Sequence, residues 1–241
     1  MTGRWKAGQH AFLRFPTFNI FENHPFTIAS IEEDGELQFI IKQRTGLTNN
    51  LYKKVSRLGG QWTARVIIDG PYGGPERDPG SFDTVVLVAG GVGVTFTLPI
   101  LKDLVRRAQD QAKLRCSKFL FVWTVRQENS LEWILSDLEM CVTAEKAFQA
   151  ELYVTAGPSQ KPRGASLSDT LPQQISIDYR RPSLPKILSE AAENEGRMCV
   201  FGAGPEGLMA TLSTAVADLQ KKVLEGDGVR EIYMHLETFG S

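Results

Sequence analysis

Residues 86–101 read VLVAGGVGVTFTLPIL, an apolar run without alternation, then three closely spaced glycines, then an apolar set at helical spacing. A strand lacking polar alternation is covered on both faces. One that ends in glycines and passes straight into a helix opens a βα unit whose parallel neighbour lies a crossover away. The same grammar recurs in KFLFVWTV (118–125), AELYVTAG (150–157), MCVFGAGP (198–205) and EIYMHLE (231–237). Helices are expected in 98–112, between 128 and 140, between 185 and 195, and between 206 and 224. Residues 82–241 are therefore expected to form a doubly wound, mostly parallel α/β sheet. The first helix should begin near Thr95 to Thr97, which keeps Pro99 within its first turn. The polar, proline-bearing stretch 157–178 reads as a surface loop.

Residues 1–77 follow a different rule. Short β-type runs, HAFLRFP (10–16), FTIASI (26–31), ELQFIIKQ (36–43) and TARVIIDGPYGG (63–74), are broken by turn residues at the spacing of an antiparallel sandwich or small barrel. One helix interrupts them, GLTNNLYKKVSRL (46–58), with Thr48 as a possible N-cap. The connector PERDPGS (75–81) separates two domains, 1–77 and 82–241.

Charge and cysteine usage narrow the function. With 27 basic and 28 acidic residues, no whole-chain field attracts nucleic acid or an anionic membrane, so phosphate recognition must be local. Cys116, Cys141 and Cys199 lie far apart, without the spacing of a disulfide framework, a zinc site or an iron-sulfur cluster, and no metal site is expected. No apolar run is long and clean enough to span a bilayer, and MTGRWKAGQH lacks the apolar core of a signal peptide.

Gly90, Gly91 and Gly93 close a strand ahead of a helix near Thr95, where a diphosphate could approach the backbone; a tight βα turn explains them equally well. A second such turn, Gly202, Ala203, Gly204 and Pro205, follows another strand of the same sheet, so both point to one crevice. Arg126 at the end of KFLFVWTVR and the arginines of DYRRP, Arg180 and Arg181, carry forks suited to the 2'-phosphate of NADPH; Glu128 is the nearest acidic rival. In HPFT, Phe26 and Thr27 point to opposite sides of a strand, so a flavin could take stacking from Phe26, a hydrogen bond from Thr27 and phosphate contact from His24. Phe26 as core and His24 as an ordinary polar residue stand beside that reading. Gly46, Leu47 and Thr48 offer amides to a second diphosphate, or simply cap a helix, and DGPYGG (69–74) reads equally as a turn.

Taken in order, GQHAFLRFP, HPFTIAS, GLTNNL, DGPYG, VLVAGGVGVTFTLPIL, FVWTVRQENSLEWI, YRRP, FGAGPEGL and LETF resemble the cytosolic dehydrogenase half of the ferric reductase and NADPH oxidase family, most of all its fungal ferric-chelate reductases. The resemblance implies a partial antiparallel FAD-binding barrel followed by the NADP-binding sheet. It places FAD on His24, Pro25, Phe26, Thr27, Gly46, Leu47, Thr48 and the Gly70, Pro71, Tyr72, Gly73 turn. It places NADPH on Gly90, Gly91, Gly93, Thr95, Arg126, Arg181, Gly204 and Pro205, with Thr27 and the near-terminal aromatic Phe239 at the reacting ring. It also implies a haem-containing transmembrane domain in a longer parent, ferric or cupric chelates as final acceptors, and a soluble chain at the cytoplasmic face of the plasma membrane. The alternatives are an oxidase module reducing dioxygen to superoxide and a non-catalytic, truncated module. Against the family pattern the barrel lacks its first strands, Ala203 replaces a cysteine, Arg180 replaces a glycine, and Gly-Ser follows Phe239.

Overall fold

All seven residues of strand β4 (Thr84–Gly90) are buried, as a strand sheltered on both faces requires. It lies in the larger of two units, 1–74 and 75–241, into which the chain divides. The computed structural model describes residues 4–110, 114–144, 147–156, 171–193, 196–226 and 228–238.

In the larger unit β4 is joined by β5 (Lys118–Val125), β6 (Phe148–Val154), β7 (Ile175–Asp178), β8 (Arg197–Gly204) and β9 (Glu231–Thr238) in one parallel sheet, ordered β7-β6-β5-β4-β8-β9. The chain steps outward from β4 through β7 and then returns to the other side of β4, so strand order reverses between β4 and β8. On one face Val86, Val88, Leu120, Val122, Met198 and Val200 pack with helices α4 (Leu184–Ala191) and α5 (Glu206–Glu225). The alternate residues Val85, Leu87, Phe119, Phe121, Trp123 and Phe201 are equally buried, on the opposite face. There helix α2 (Val94–Gln109) lays Phe96 against His235 of β9.

In this unit three details depart from the sequence-based expectation. Helix α2 starts at Val94, directly after a 3-10 turn at Gly91–Gly93, which puts Pro99 in its second turn rather than its first. Every residue from Val94 to Leu101 is buried, and that packing offsets the roughly 3 kcal/mol a mid-helix proline costs. The segment expected as one helix over 128–140 is a 3-10 helix, Glu128–Trp133, followed by α3 (Leu135–Ala144). Buried Leu131 and Ile134 are three apart, the 3-10 repeat, whereas Ile134 and Leu138 are four apart. Within the stretch read as a loop, Ile175–Asp178 form β7, whose Ile175 is buried opposite Ala150; residues 157–170 lie outside the described residues.

The smaller unit holds an antiparallel sheet, β2-β1-β3, made of β1 (His10–Arg14), β2 (His24–Thr27) and β3 (Ile67–Tyr72), and helix α1 (Leu47–Arg57). Leu13, Phe15 and Leu47 form its core, with Phe26, Phe39, Leu51, Val66 and Ile68 packed around them. Residues 36–43 are not a strand. The Ser30 hydroxyl accepts from the Gln38 amide (3.0 Å) and donates to the Glu36 carbonyl (2.8 Å), a side chain standing where a ladder partner would be. Phe39 packs against the core, and the Ala29 amide donates to the Gln38 carbonyl at 2.8 Å, a backbone contact that does not extend into a strand. Nor is Thr48 the N-cap: that position is Gly46, at φ 63°, while the Thr48 hydroxyl accepts from the Arg44 amide (2.9 Å) and donates to the Thr45 carbonyl (3.3 Å). Among the described residues no helix is long and apolar enough to cross a membrane, and no side-chain cluster has the make-up of a metal site.

Candidate functional site

An open α/β sheet binds ligands at the carboxyl ends of its strands, where the strand order reverses. Here that point lies between β4 and β8, and both glycine turns stand at it. They are not equivalent. A Cβ at Gly93 would fall 2.0 Å from the Ala203 carbonyl oxygen, and one at Gly204 would fall 2.9 Å from the Gly90 amide nitrogen. A Cβ at Gly90 would strike Leu208 and Pro205, each at 2.7 Å. These three glycines are required because the two turns pack directly on each other. Gly91 differs: its φ is 55° and a Cβ there would meet nothing within 4 Å, so the space above it is open.

The Gly91 turn is anchored from below, where the buried indole of Trp123 donates to the Gly91 carbonyl at 2.9 Å. Thr95 is buried, its hydroxyl donating to the Val92 carbonyl at 2.9 Å, and so it braces the turn from within. No side chain caps the amide end of α2, which leaves its first donors for an anion. The Thr124 hydroxyl, level with Gly90 on the neighbouring strand, is buried without a hydrogen-bond partner. Open space at Gly91, uncapped amides and an orphaned hydroxyl beside them fit a dinucleotide diphosphate.

Arg126 follows β5 and Arg181 follows β7, the second strand along from it; both are exposed, and among the described residues neither joins an ion pair. Arg180 does, with Asp178 at 3.1 Å. Arg181 lines a cavity of about 240 Å³ with Tyr153, Asp178, Arg180, Ser183 and Lys186. The Tyr153 phenol there is pushed upward in pKa by burial and by its hydrogen bond to Glu151. The acidic rival, Glu128, accepts a 2.6 Å hydrogen bond from the Tyr179 phenol. That partnership was not legible in the sequence, where Tyr179 shows only as the neighbour of two arginines.

In the smaller unit strand register sorts the expected residues onto two faces. His24 opposes Leu13 and Phe26 opposes Ala11, so both lie on the side of the buried β1 residues, and Phe26 packs against the core. Thr27 opposes His10 and Pro25 opposes Phe12, on the other side. A bulge in the pairing of β1 with β3, taken up at Gly70 and Pro71 with their cis peptide bond, sets Tyr72 opposite His10 as well. The result is an aromatic face that sequence reading reached only at Tyr72: the His10, Phe12 and Tyr72 rings lie 5.7 to 6.2 Å apart. Its signal was the alternation of His10 and Phe12 along one strand. The Tyr72 hydroxyl donates to Asp69 at 2.6 Å, a bond that raises its pKa, and a Cβ at Gly73 would press on the His10 ring at 3.2 Å.

His24 keeps a buried Nε2 without a hydrogen-bond partner, 3.7 Å from a carboxylate oxygen of Glu22. The amide end of α1 carries no side-chain cap, and Gly46 has open space above it. Leu47 is in the core, so only its backbone can face a ligand. An uncapped helix start, an orphaned imidazole nitrogen and a flat aromatic face in one small unit fit a flavin dinucleotide. Phe239 lies outside the described residues.

Comparison with known proteins agrees with this division. Residues 1–76 match an FAD-binding domain family, and residues 82–217 match the family described as the ferric reductase NAD binding domain. The chain is 26% identical to Ferric/cupric reductase transmembrane component 7 of Saccharomyces cerevisiae, covering 98% of this chain and 44% of that protein. It is 32% identical to Dual oxidase 1 of Homo sapiens, over 88% of this chain and 15% of that protein. It thus spans less than half the length of either relative. In fold it is similar to an Amycolatopsis cytochrome P450 reductase, with a TM-score of 0.62 at 17% identity over 99% of this chain and 62% of that one. With an FAD-binding domain followed by an NAD-binding domain of this type, the chain belongs to the ferric reductase family.

Proposed function

We propose that this chain is the electron-input part of an NADPH-dependent ferric-chelate reductase, taking hydride from NADPH and feeding single electrons toward haem in a membrane domain of a longer parent. The carrying observation is the pair of glycine turns at the strand-order reversal, with open space at Gly91, and two arginines, after β5 and β7, that join no ion pair among the described residues. In this reading Gly91 and the α2 amides receive the NADPH diphosphate, and Arg126 and Arg181 receive its 2'-phosphate. Gly90, Gly93, Gly204 and Pro205 shape the crevice, and Thr95 holds the turn. Gly46, Leu47 and Thr48 present amides to the FAD diphosphate with His24 beside them, while Thr27, Tyr72 and the Gly70 to Gly73 turn orient the ring.

Bound FAD supplies the exchange between a hydride's paired electrons and the single electrons that haem and ferric iron accept. The side chains have only to bind, align and exclude water, so no acid-base residue is assigned. Ferric or cupric chelates outside a plasma membrane, with this chain at its cytoplasmic face, are the acceptors and setting that the likeness to Ferric/cupric reductase transmembrane component 7 supports. Likeness to Dual oxidase 1 supports a second reading, in which the parent's final acceptor is dioxygen.

Purified chain loaded with FAD is expected to bleach on anaerobic NADPH and to consume ferricyanide at twice the molar rate of NADPH. A folded chain that holds no flavin would sink the proposal and favour a non-catalytic module. In the longer parent, ferric reduction against superoxide formation separates the two acceptors.

A further inference from the structure

We infer that Tyr179 sets coenzyme selectivity by restraining Glu128, an inference that rests on Arg126 and Arg181 reading a 2'-phosphate. Two kinds of group compete at the carboxyl end of a sheet that binds dinucleotides. Arginine forks favour a phosphorylated ribose, and a carboxylate favours the bare hydroxyl while repelling the phosphate. This chain has both. Glu128 stands two residues beyond Arg126, where the chain leaves β5, and would be placed to neutralise Arg126 or to accept from the ribose. Instead it accepts from Tyr179 at 2.6 Å, and Arg126 has no ion pair among the described residues.

Tyr179 comes from the far side of β6, on the loop that leaves β7 just ahead of Arg181. One phenol therefore ties the two loops that carry the arginines and draws the carboxylate toward β7. Arg180, the extra cation of that loop, is matched by Asp178 at 3.1 Å, which leaves Arg181 as the loop's charge without an ion pair among the described residues. Removing the phenol releases Glu128 toward Arg126, lowering the preference for a 2'-phosphate without touching either arginine.

The test is calorimetric titration of the whole chain with adenosine 2',5'-bisphosphate and with 5'-AMP, read as the ratio of their Kd values. Wild type is expected to prefer the bisphosphate, and Arg181→Ala to lose that preference. Tyr179→Phe should cut the ratio about fivefold, the upper range for an exposed charge pair, and Tyr179→Phe with Glu128→Gln should restore it. Glu128→Gln alone keeps the hydrogen-bonding shape without the charge and should hold or raise the ratio, which serves if Tyr179→Phe does not fold. An unchanged ratio in Tyr179→Phe, no rescue by the second substitution, or a fall in Glu128→Gln alone overturns the inference while leaving the arginine reading intact. A wild-type ratio near one, or an Arg181→Ala without effect, removes the arginine reading and the inference with it.

Discussion

Gly91 and Gly93 are two residues apart in one turn, yet alanine at each should fail for different reasons. Gly91→Ala meets open space but keeps a φ of 55°, so it should cost about 1 kcal/mol and leave the fold intact. Gly93→Ala drives a methyl into the Ala203 carbonyl, where backbone on both sides would have to move, and should cost about 3 kcal/mol or more. Urea midpoints of the two variants check this; equal losses would mean that the turns do not pack as closely as described. Trp123→Phe leaves the Gly91 carbonyl without its donor and should cost about 1 to 3 kcal/mol, with weaker binding of adenosine 2',5'-bisphosphate. The glycine pattern itself stood out in the sequence, but nothing local distinguishes a glycine that admits a ligand from one that admits a neighbouring turn. Phe26 shows the same limit: HPFT reads equally as ring platform or core until register sets it opposite Ala11.

At the amino ends of the strands, away from the glycine-turn crevice, ion pairs join the central sheet. Asp83, just ahead of β4, accepts from the Arg197 amide at 2.7 Å, and the Arg197 side chain donates to Glu231 of β9 at 2.6 Å. Arg77 also binds Glu231 and lies over the Phe82 and Tyr233 rings at 4.6 and 5.0 Å. Hydrogen bonds from Arg77 and then Arg197 hold the Glu231 carboxyl below its ordinary pKa, and Arg115 does the same for Asp83. A carboxylate depressed in the folded state stabilises above its unfolded pKa, and that contribution disappears as pH falls through the folded value. The urea midpoint should therefore drop on acidification below about pH 4, and Glu231→Gln should lower the neutral midpoint while flattening the acid slope. The effect is modest because the carboxylate is partly in water. An unchanged acid slope in that variant would assign the acid sensitivity to other groups.

The chain divides into units with their own cores, and the larger one carries the whole glycine-turn crevice. Residues 75–241 expressed alone should melt cooperatively and bind adenosine 2',5'-bisphosphate as the full chain does; loss of binding in a folded fragment would mean the smaller unit contributes to that site. The parallel sheet, its long helices and both glycine turns were readable in advance, because an apolar run closed by glycine is a local signal that packing does not reverse. Strand β7 was not, since ISID alternates like a strand but is only four residues long inside a polar, proline-bearing stretch, and its pairing with β6 decides it. The run 36–43 failed in the opposite direction: its apolar alternation served Phe39 against the core, while its pairing stopped at Gln38, shared between the Ala29 amide and the Ser30 hydroxyl. Sequence by itself determined the two-part organisation of cofactor-binding domains and the positions of both glycine turns at strand ends. Folding alone settled which glycines are spent on packing, which face of β2 meets the core, and that Glu128 is held by Tyr179. Each of these depends on a contact between residues far apart along the chain, which no local pattern encodes.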